Sequence, residues 1–357
     1  MTDRSADPLP PDRCPGLLRP HLAADGALVR VRAPGGRLPD HGLRRLSAAA
    51  ARFADGDLHL TSRGNIQIRG VFVDECGGVP ERLVTAVADA GFLPSASHER
   101  VRNVVASPLS GITGGLADVR PLVAELDAAV CSEPGLADLP GRFLFAIDDG
   151  RGDVTGLRCD LSATALDAER MRIGIGGLSG PVVPITGAVR ALVDAAVRFV
   201  EVRETLWHVR QLPGEGRELG GVAPLPRLAP YRMPYGVLDG AVSVLVPLGI
   251  ITPAMASVLP DRGVIVTPWR GLVLPPDVDV DALADAGFEP AENSPWSRVS
   301  ACTGAPRCSL ARSDTREAAR RTVAEPSSSR HVHIVGCERA CGAPPFPHTL
   351  VVARSPM

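Results

Sequence analysis

From Leu58 to Gly70 the chain reads LHLTSRGNIQIRG, with Ile66 and Ile68 apolar against polar Gln67 and Arg69. That period of two marks half-buried strands on either side of a turn. The runs GALVRVRAP (Gly26–Pro34), GAVSVLVPL (Gly240–Leu248) and VIVTPWRGLVLP (Val264–Pro275) have the same strand character. Helical spacing instead governs LRRLSAAAARF, PERLVTAVADAG and DALADAGF, and the last two end on Gly91 and Gly287 as C-terminal stop signals. Between these regions GRFLFAIDDG, DVTGLRCDLSA and RMRIGIGG read as strands and GAVRALVDAAVRFVEVRETLW as a helix, while LPGEGRELGGVAPLPRLAP has the Pro and Gly content of a connector. Mixed elements in this order predict an α+β class.

The pattern repeats. ADAGF occurs at Ala88–Phe92 and again at Ala284–Phe288, and ten residues past each Phe stands an arginine, Arg102 and Arg298. Upstream of each pentapeptide lies a strand, turn and strand, and further upstream an Asp-Gly-Ala that opens a strand (Asp25–Ala27, Asp239–Ala241). Three landmarks in one order predict two related halves, each running strand, helix, strand, turn, strand, helix.

Composition narrows the chemistry. The 357 residues are 45% hydrophobic, enough for two or three domains, and the net charge of −2 favours neither nucleic acid nor an anionic membrane as partner. Lys is absent, so all 38 basic residues are Arg and any carboxylate is gripped by a guanidinium fork. The N-terminal MTDRSADPLPPDR has no apolar stretch of the secretory kind, and no uninterrupted apolar run nears the ~18 residues that span a bilayer. A soluble, cytoplasmic protein is expected, and disulfides are rare there.

Of eight cysteines, Cys14, Cys76, Cys131 and Cys159 are scattered and read as small buried residues. Cys302, Cys308, Cys337 and Cys341 are clustered, as Cys-x5-Cys and Cys-x3-Cys. Four thiolates are the ligand set of a [4Fe–4S] cluster. Structural zinc is the rival, but its cysteine pairs usually stand two to four residues apart, and the first gap here is wider. Ser313, Asp314 and Thr315 offer caps for a helix through REAARR, and HVHIVG reads as a strand that delivers Cys337.

The cysteine spacing, LTSRGNIQIRG and the repeat together resemble the nitrite/sulfite reductase family. The resemblance implies paired ferredoxin-like half-domains (13–96 and 226–292), a first α/β domain (97–225) and a second that carries the cluster (293–357). It implies carboxylate-binding arginines at Arg63 and Arg102, a basic pair that falls on Arg142 and Leu144, and Cys341 as the cysteine nearest a siroheme iron. Leu144 in place of a basic residue, only 16 residues after Cys341, and TPWRG at Thr267–Gly271 depart from the siroheme reductases. With RCPGLLRP (Arg13–Pro20), they resemble the precorrin-3B synthase branch. That branch implies an O₂-dependent monooxygenase acting on precorrin-3A, with a [4Fe–4S] cluster, a mononuclear non-haem iron and an electron donor the sequence does not identify. A siroheme-dependent nitrite or sulfite reductase and a zinc-stabilised tetrapyrrole carrier are the alternatives.

Arg270, in the turn equivalent to that of Arg63, stands between a solvated turn residue and a second carboxylate ligand. Arg142 stands between an ion-pair partner and a carboxylate ligand. Asn65 and Asn103 are read as turn or cap residues, Trp269 as packing, and Arg298 as support for the cluster loop. His331 and His333 share a strand face, but no histidine is assigned to iron.

Overall fold

The computed structural model describes residues 12, 14–74, 77–226, 231, 233–325, 330–344 and 346–353. Arg13 of the RCPGLLRP segment, Cys76 and the end of the Pro/Gly-rich connector lie outside them.

The first copy of the repeat contains β1 (His21–Ala23), β2 (Gly26–Val31), α1 (Gly42–Phe53), β3 (Leu58–Leu60), β4 (Ile66–Val71) and α2 (Glu81–Asp89). The interposed segment supplies β5 (Val104–Ala106), α3 (Arg120–Ser132), β6 (Phe145–Asp148), β7 (Leu161–Ala165), β8 (Arg170–Ile175), β9 (Leu178–Pro184), α4 (Ala188–Val202) and β10 (Ala223–Pro224). The second copy supplies β11 (Gly236–Leu238), β12 (Ala241–Leu245), β13 (Ile250–Ile251), α5 (Pro253–Ser257), β14 (Ile265–Val266), β15 (Gly271–Leu274) and α6 (Val280–Asp285). The cysteine region has β16 (Val299–Ala301), α7 (Thr315–Ala324), β17 (Val332–Val335) and β18 (Thr349–Val352). Both copies therefore have the expected order of strand, helix, strand, turn, strand, helix. Part of the expected connector is a strand instead: β10 pairs with β9 at the edge of the six-stranded sheet.

The two copies exchange edges. β13, from the second copy, pairs with β3 of the first, and Arg37 of the first bridges to Ile265 in β14 of the second. At that crossing Gly36 has φ +72°, and a Cβ there would overlap the carbonyl oxygen of Val266, so the backbones approach as only glycine allows. One core results, with Val29, Ile66, Ile68, Leu83 and Phe92 packed with Val242, Val244, Leu272, Leu283 and Phe288.

The repeated ADAGF is a helix terminator. Gly91 and Gly287 both have positive φ, and the N–H groups of Phe92 and Phe288 donate to the carbonyls of Val87 and Leu283. That is the six-to-one bond of a Schellman cap, with its apolar residue driven into the core. Each buried Phe contributes roughly 1.5–3 kcal/mol, so the pentapeptide both stops the helix and anchors it.

The interposed segment packs its own core around Phe143, Phe145, Leu161, Leu192 and Phe199. The cysteine region forms a parallel three-stranded sheet, β16–β17–β18, under α7. No helix among the described residues is long and apolar enough to cross a membrane.

Candidate functional site: four thiols and an arginine face

The parallel pairing of β16 with β17 extends one residue beyond β16, because Cys302 N–H donates to Ile334 O at 2.9 Å. Gly336 N–H returns toward Cys302 Sγ at 3.3 Å, and Thr315 Oγ1 donates to Cys302 O at 2.7 Å. Helix α7 is capped by Asp314, whose carboxylate accepts from Arg316 and Glu317 N–H. Ser313 donates to Ala353 O instead. Cys308 N–H donates to Gly304 O and Ala340 N–H to Cys337 O, closing tight turns around the other thiols. Ser300 Oγ lies 2.8 Å from both His331 Nε2 and His333 Nδ1, and His333 Nε2 is 3.2 Å from Cys341 O. Those two histidines therefore brace the cysteine loop.

The four thiols share one site and form no disulfide. Burial pushes the Cys341 thiol above its usual range, and Cys302, Cys337 and Cys308 push it further. Four thiols are the ligand number of a [4Fe–4S] cluster, and the Gly336 N–H directed at Cys302 Sγ is the kind of backbone contact that would tune one.

A second feature is cationic. Arg63, in the Thr61–Asn65 turn, lies near Arg30, Arg142 and Arg210. Burial lowers the affinity of Arg63 and Arg30 for their protons, Cys14 opposes it at both and Asp160 at Arg63, and the neighbouring guanidinium groups (Arg142 and Arg210 for Arg63, Arg63 for Arg30) add to the lowering. Guanidinium groups stay charged in proteins, so the direction reports crowded, poorly solvated positive charge. Arg63 Nη1 donates to Arg142 O at 3.1 Å, Arg142 stacks over Trp207 with Cζ 4.6 Å from the ring centroid, and Arg210 donates to Arg158 O. None of the four forms an ion pair among the described residues. The nearby Asp160 is occupied by Leu144 N–H, Val209 N–H and His208 Nδ1. Four guanidinium groups thus share one region with Asp160 and Cys14 nearby but no close ion pair among the described residues.

Arg102 does not join them. It is 4% exposed, and its Nε and Nη2 grip Asp127 at 2.7 Å each while Nη1 donates to Phe92 O. Its fork is already filled, so the structure gives Arg102 a bracing role where the sequence suggested a ligand. Asn65 closes the Thr61–Asn65 turn through its backbone, as expected, but its side chain and that of Asn103 do something further. Asn103 Oδ1 accepts from Asn65 Nδ2 and Arg32 Nη1, and Asn103 Nδ2 donates to Phe143 O, each at 3.0 Å. Arg32 Nη2 adds a 2.8 Å bond to Gly141 O. This buried network fastens the first half-domain to the interposed domain directly behind Arg142.

Arg270 has φ +58° and sits at the other turn. Its guanidinium lies beside Gly342, next to Cys341, and burial is what lowers its proton affinity. Trp269, one residue earlier, packs on the cluster of Val105, Leu144, Ala146, Val154 and Cys159. The apolar Leu144 and TPWRG, two separate sequence departures, thus belong to one apolar patch. Arg30 and Arg210 were missed in sequence because nothing local distinguishes them from 36 other arginines. The repeat would have helped only with Arg63.

Residues 21–83 match the nitrite/sulfite reductase ferredoxin-like half domain. A Sinorhizobium protein named precorrin-3B synthase is 29% identical over 96% of this chain and 81% of its own length. A ferredoxin–nitrite reductase of Leptolyngbya laminosa is 30% identical, but over 34% of this chain and 24% of its own. The structure of Mycobacterium tuberculosis NirA superimposes with a TM-score of 0.67 at 21% identity, covering 88% of this chain and 68% of NirA.

Proposed function

We propose that this chain, a member of the nitrite/sulfite reductase superfamily, acts as a precorrin-3B synthase, the name its Sinorhizobium relative carries, and, as the resemblance to that branch implies, hydroxylates precorrin-3A at C20 with γ-lactone formation. The observation that carries the reading is the arginine face: Arg30, Arg63, Arg142 and Arg210 form no close ion pair among the described residues, although Asp160 lies near Arg63, as suits a ring bearing acetate and propionate groups. The near full-length likeness to a precorrin-3B synthase, against partial likeness to nitrite reductases, supports the same substrate.

In this reading Arg63 and Arg142, with Arg30 and Arg210, fix the ring by its rim, and Arg270 takes a carboxylate at the Cys341 end. Trp269 and the Leu144 patch exclude water from an apolar edge, at the position where the resemblance implies a cation in siroheme enzymes. A [4Fe–4S] cluster on Cys302, Cys308, Cys337 and Cys341 would supply single electrons, and a mononuclear non-haem iron would supply oxygen activation. One atom of O₂ enters the ring and the other leaves as water, which requires two electrons and two protons from an external donor. The protein contributes position, holding C20 in a productive orientation.

Anaerobically purified, cluster-loaded protein incubated with precorrin-3A, O₂ and a reductant should give a product heavier by one oxygen atom. An unchanged ring mass with the cluster absorption intact overturns the proposal. Siroheme bands in the purified protein, with six-electron reduction of nitrite or sulfite, would support the reductase instead.

A further inference from the structure

Asp55 and Asp57 flank Gly56 at the entry to β3, and His59 lies on that strand, paired with Ile250 of β13 and Gln67 of β4. Leu58 and Leu60 point into the shared core, so the alternation turns His59 to the opposite face, toward the cysteine region. One ligand atom from each of Asp55, Asp57 and His59 falls within 4.8 Å of the others.

The imidazole makes this more than an acidic turn. His59 is 7% exposed, and its Nε2 is buried with no hydrogen-bond partner among the described residues. Asp55 Oδ2 stands 3.6 Å away, beyond a hydrogen bond. A buried ring nitrogen left without a partner loses the hydrogen bond that water would supply. The ring nitrogen faces two carboxylates, and a cation held by all three groups would give it a partner.

We propose that Asp55, Asp57 and His59 bind one divalent first-row transition-metal ion. The donor set selects it. Imidazole is a poor ligand for Ca²⁺ or Mg²⁺, and without a sulfur donor the site is unsuited to Cu⁺. Three protein ligands leave positions for water. The competing role of these residues is an interdomain ion pair, since Arg307 Nε lies 3.7 Å from Asp55 Oδ2 and Arg316 is close to both carboxylates. Arg307 comes from the loop between Cys302 and Cys308, so the ion would sit where the first half-domain meets that loop. The guanidinium reaches one oxygen of Asp55 and leaves His59 Nε2 unpartnered, which the ion would not.

Binding is read without reference to ring chemistry, so it stands or falls separately from the oxygenation proposed above. Cluster-loaded protein is titrated anaerobically with Mn²⁺, and loss of the free-ion EPR signal counts the bound ion. One Mn²⁺ per chain, displaced by Fe²⁺ and weakened at least tenfold in both Asp57→Asn and His59→Gln with cluster absorption unchanged, is expected. Should His59→Gln fail to fold, the half-exposed Asp57→Asn reads the site alone. Absence of binding below millimolar Mn²⁺, or equal binding by the wild type and Asp57→Asn, overturns the proposal and leaves the trio an ion pair.

Discussion

Arg63 and Arg102 are equivalent in the family resemblance but opposite in the structure, so substituting each separates ligand binding from stability. In Arg63→Gln the lost group has no carboxylate partner in the free protein. Its removal relieves a desolvation cost and repulsion from Arg142 and Arg210 but loses the attraction of Cys14 and Asp160 and the bond to Arg142 O, so stability should change by less than about 1 kcal/mol. A charge-assisted hydrogen bond to a ring carboxylate is worth roughly 1.5–3 kcal/mol, so affinity should fall about 10- to 150-fold. Arg102→Gln instead breaks a two-point pair with Asp127 and a bond to Phe92 O. Removing one member of a buried pair costs about 3–5 kcal/mol, and Asp127, whose side chain is 21% exposed, brings the expectation down to about 2–4 kcal/mol. Urea unfolding followed by tryptophan fluorescence gives the stability. Titration with uroporphyrin, a stable octacarboxylate ring, gives the affinity. Adding Asp127→Asn to Arg102→Gln should recover part of the lost stability, because the uncompensated carboxylate is gone. The reasoning is refuted if Arg102→Gln loses ring affinity at unchanged stability, or if Arg63→Gln unfolds early while still binding the ring.

Further outcomes follow from the same geometry. Gly36→Ala should destabilise by more than the roughly 1 kcal/mol of an ordinary glycine replacement, since its Cβ meets the Val266 carbonyl; Gly287→Ala, with open space around it, should cost only the ~1 kcal/mol of conformational strain, both measured by urea unfolding. Asn103→Leu should leave Asn65 Nδ2, Arg32 Nη1 and Phe143 O unpartnered, a loss of about 3–6 kcal/mol visible as early proteolysis between the first half-domain and the interposed domain. Burial, with Asp148 and Asp149 close by, pushes Asp153 up to about 7. Between its ordinary range and that value the folded state holds the extra proton, so stability should fall as pH rises from 4 to 7, by up to about 4 kcal/mol; Asp153→Asn should flatten that slope, and an unchanged slope refutes the assignment. Each of Cys302→Ser, Cys308→Ser, Cys337→Ser and Cys341→Ser should lower iron and sulfide content together, whereas a zinc site would lose zinc alone.

What the chain determines by itself is what repeats or sits close in sequence. Helix and strand periods, the ADAGF caps and the spacing of four cysteines all depend on neighbours within a few residues, and the α+β class and the paired halves followed from them. Tertiary structure decided which groups meet. Asp127 reaches Arg102 from 25 residues along the chain, on the facing helix α3, and no local pattern distinguishes a filled guanidinium fork from an empty one. Arg30 and Arg210 join Arg63 only because three segments converge, and Asn65 finds Asn103 only across the interface between two domains. Asp55 and Asp57 look like an ordinary acidic turn until β13 and the cysteine loop enclose His59. The physical reason is common to all of these. Secondary structure is written in short-range backbone preference, whereas the partner of a charge or a buried polar atom is set by long-range packing, and in this chain that packing gives Arg102 a carboxylate and leaves Arg63 and Arg210 bonded only to backbone carbonyls.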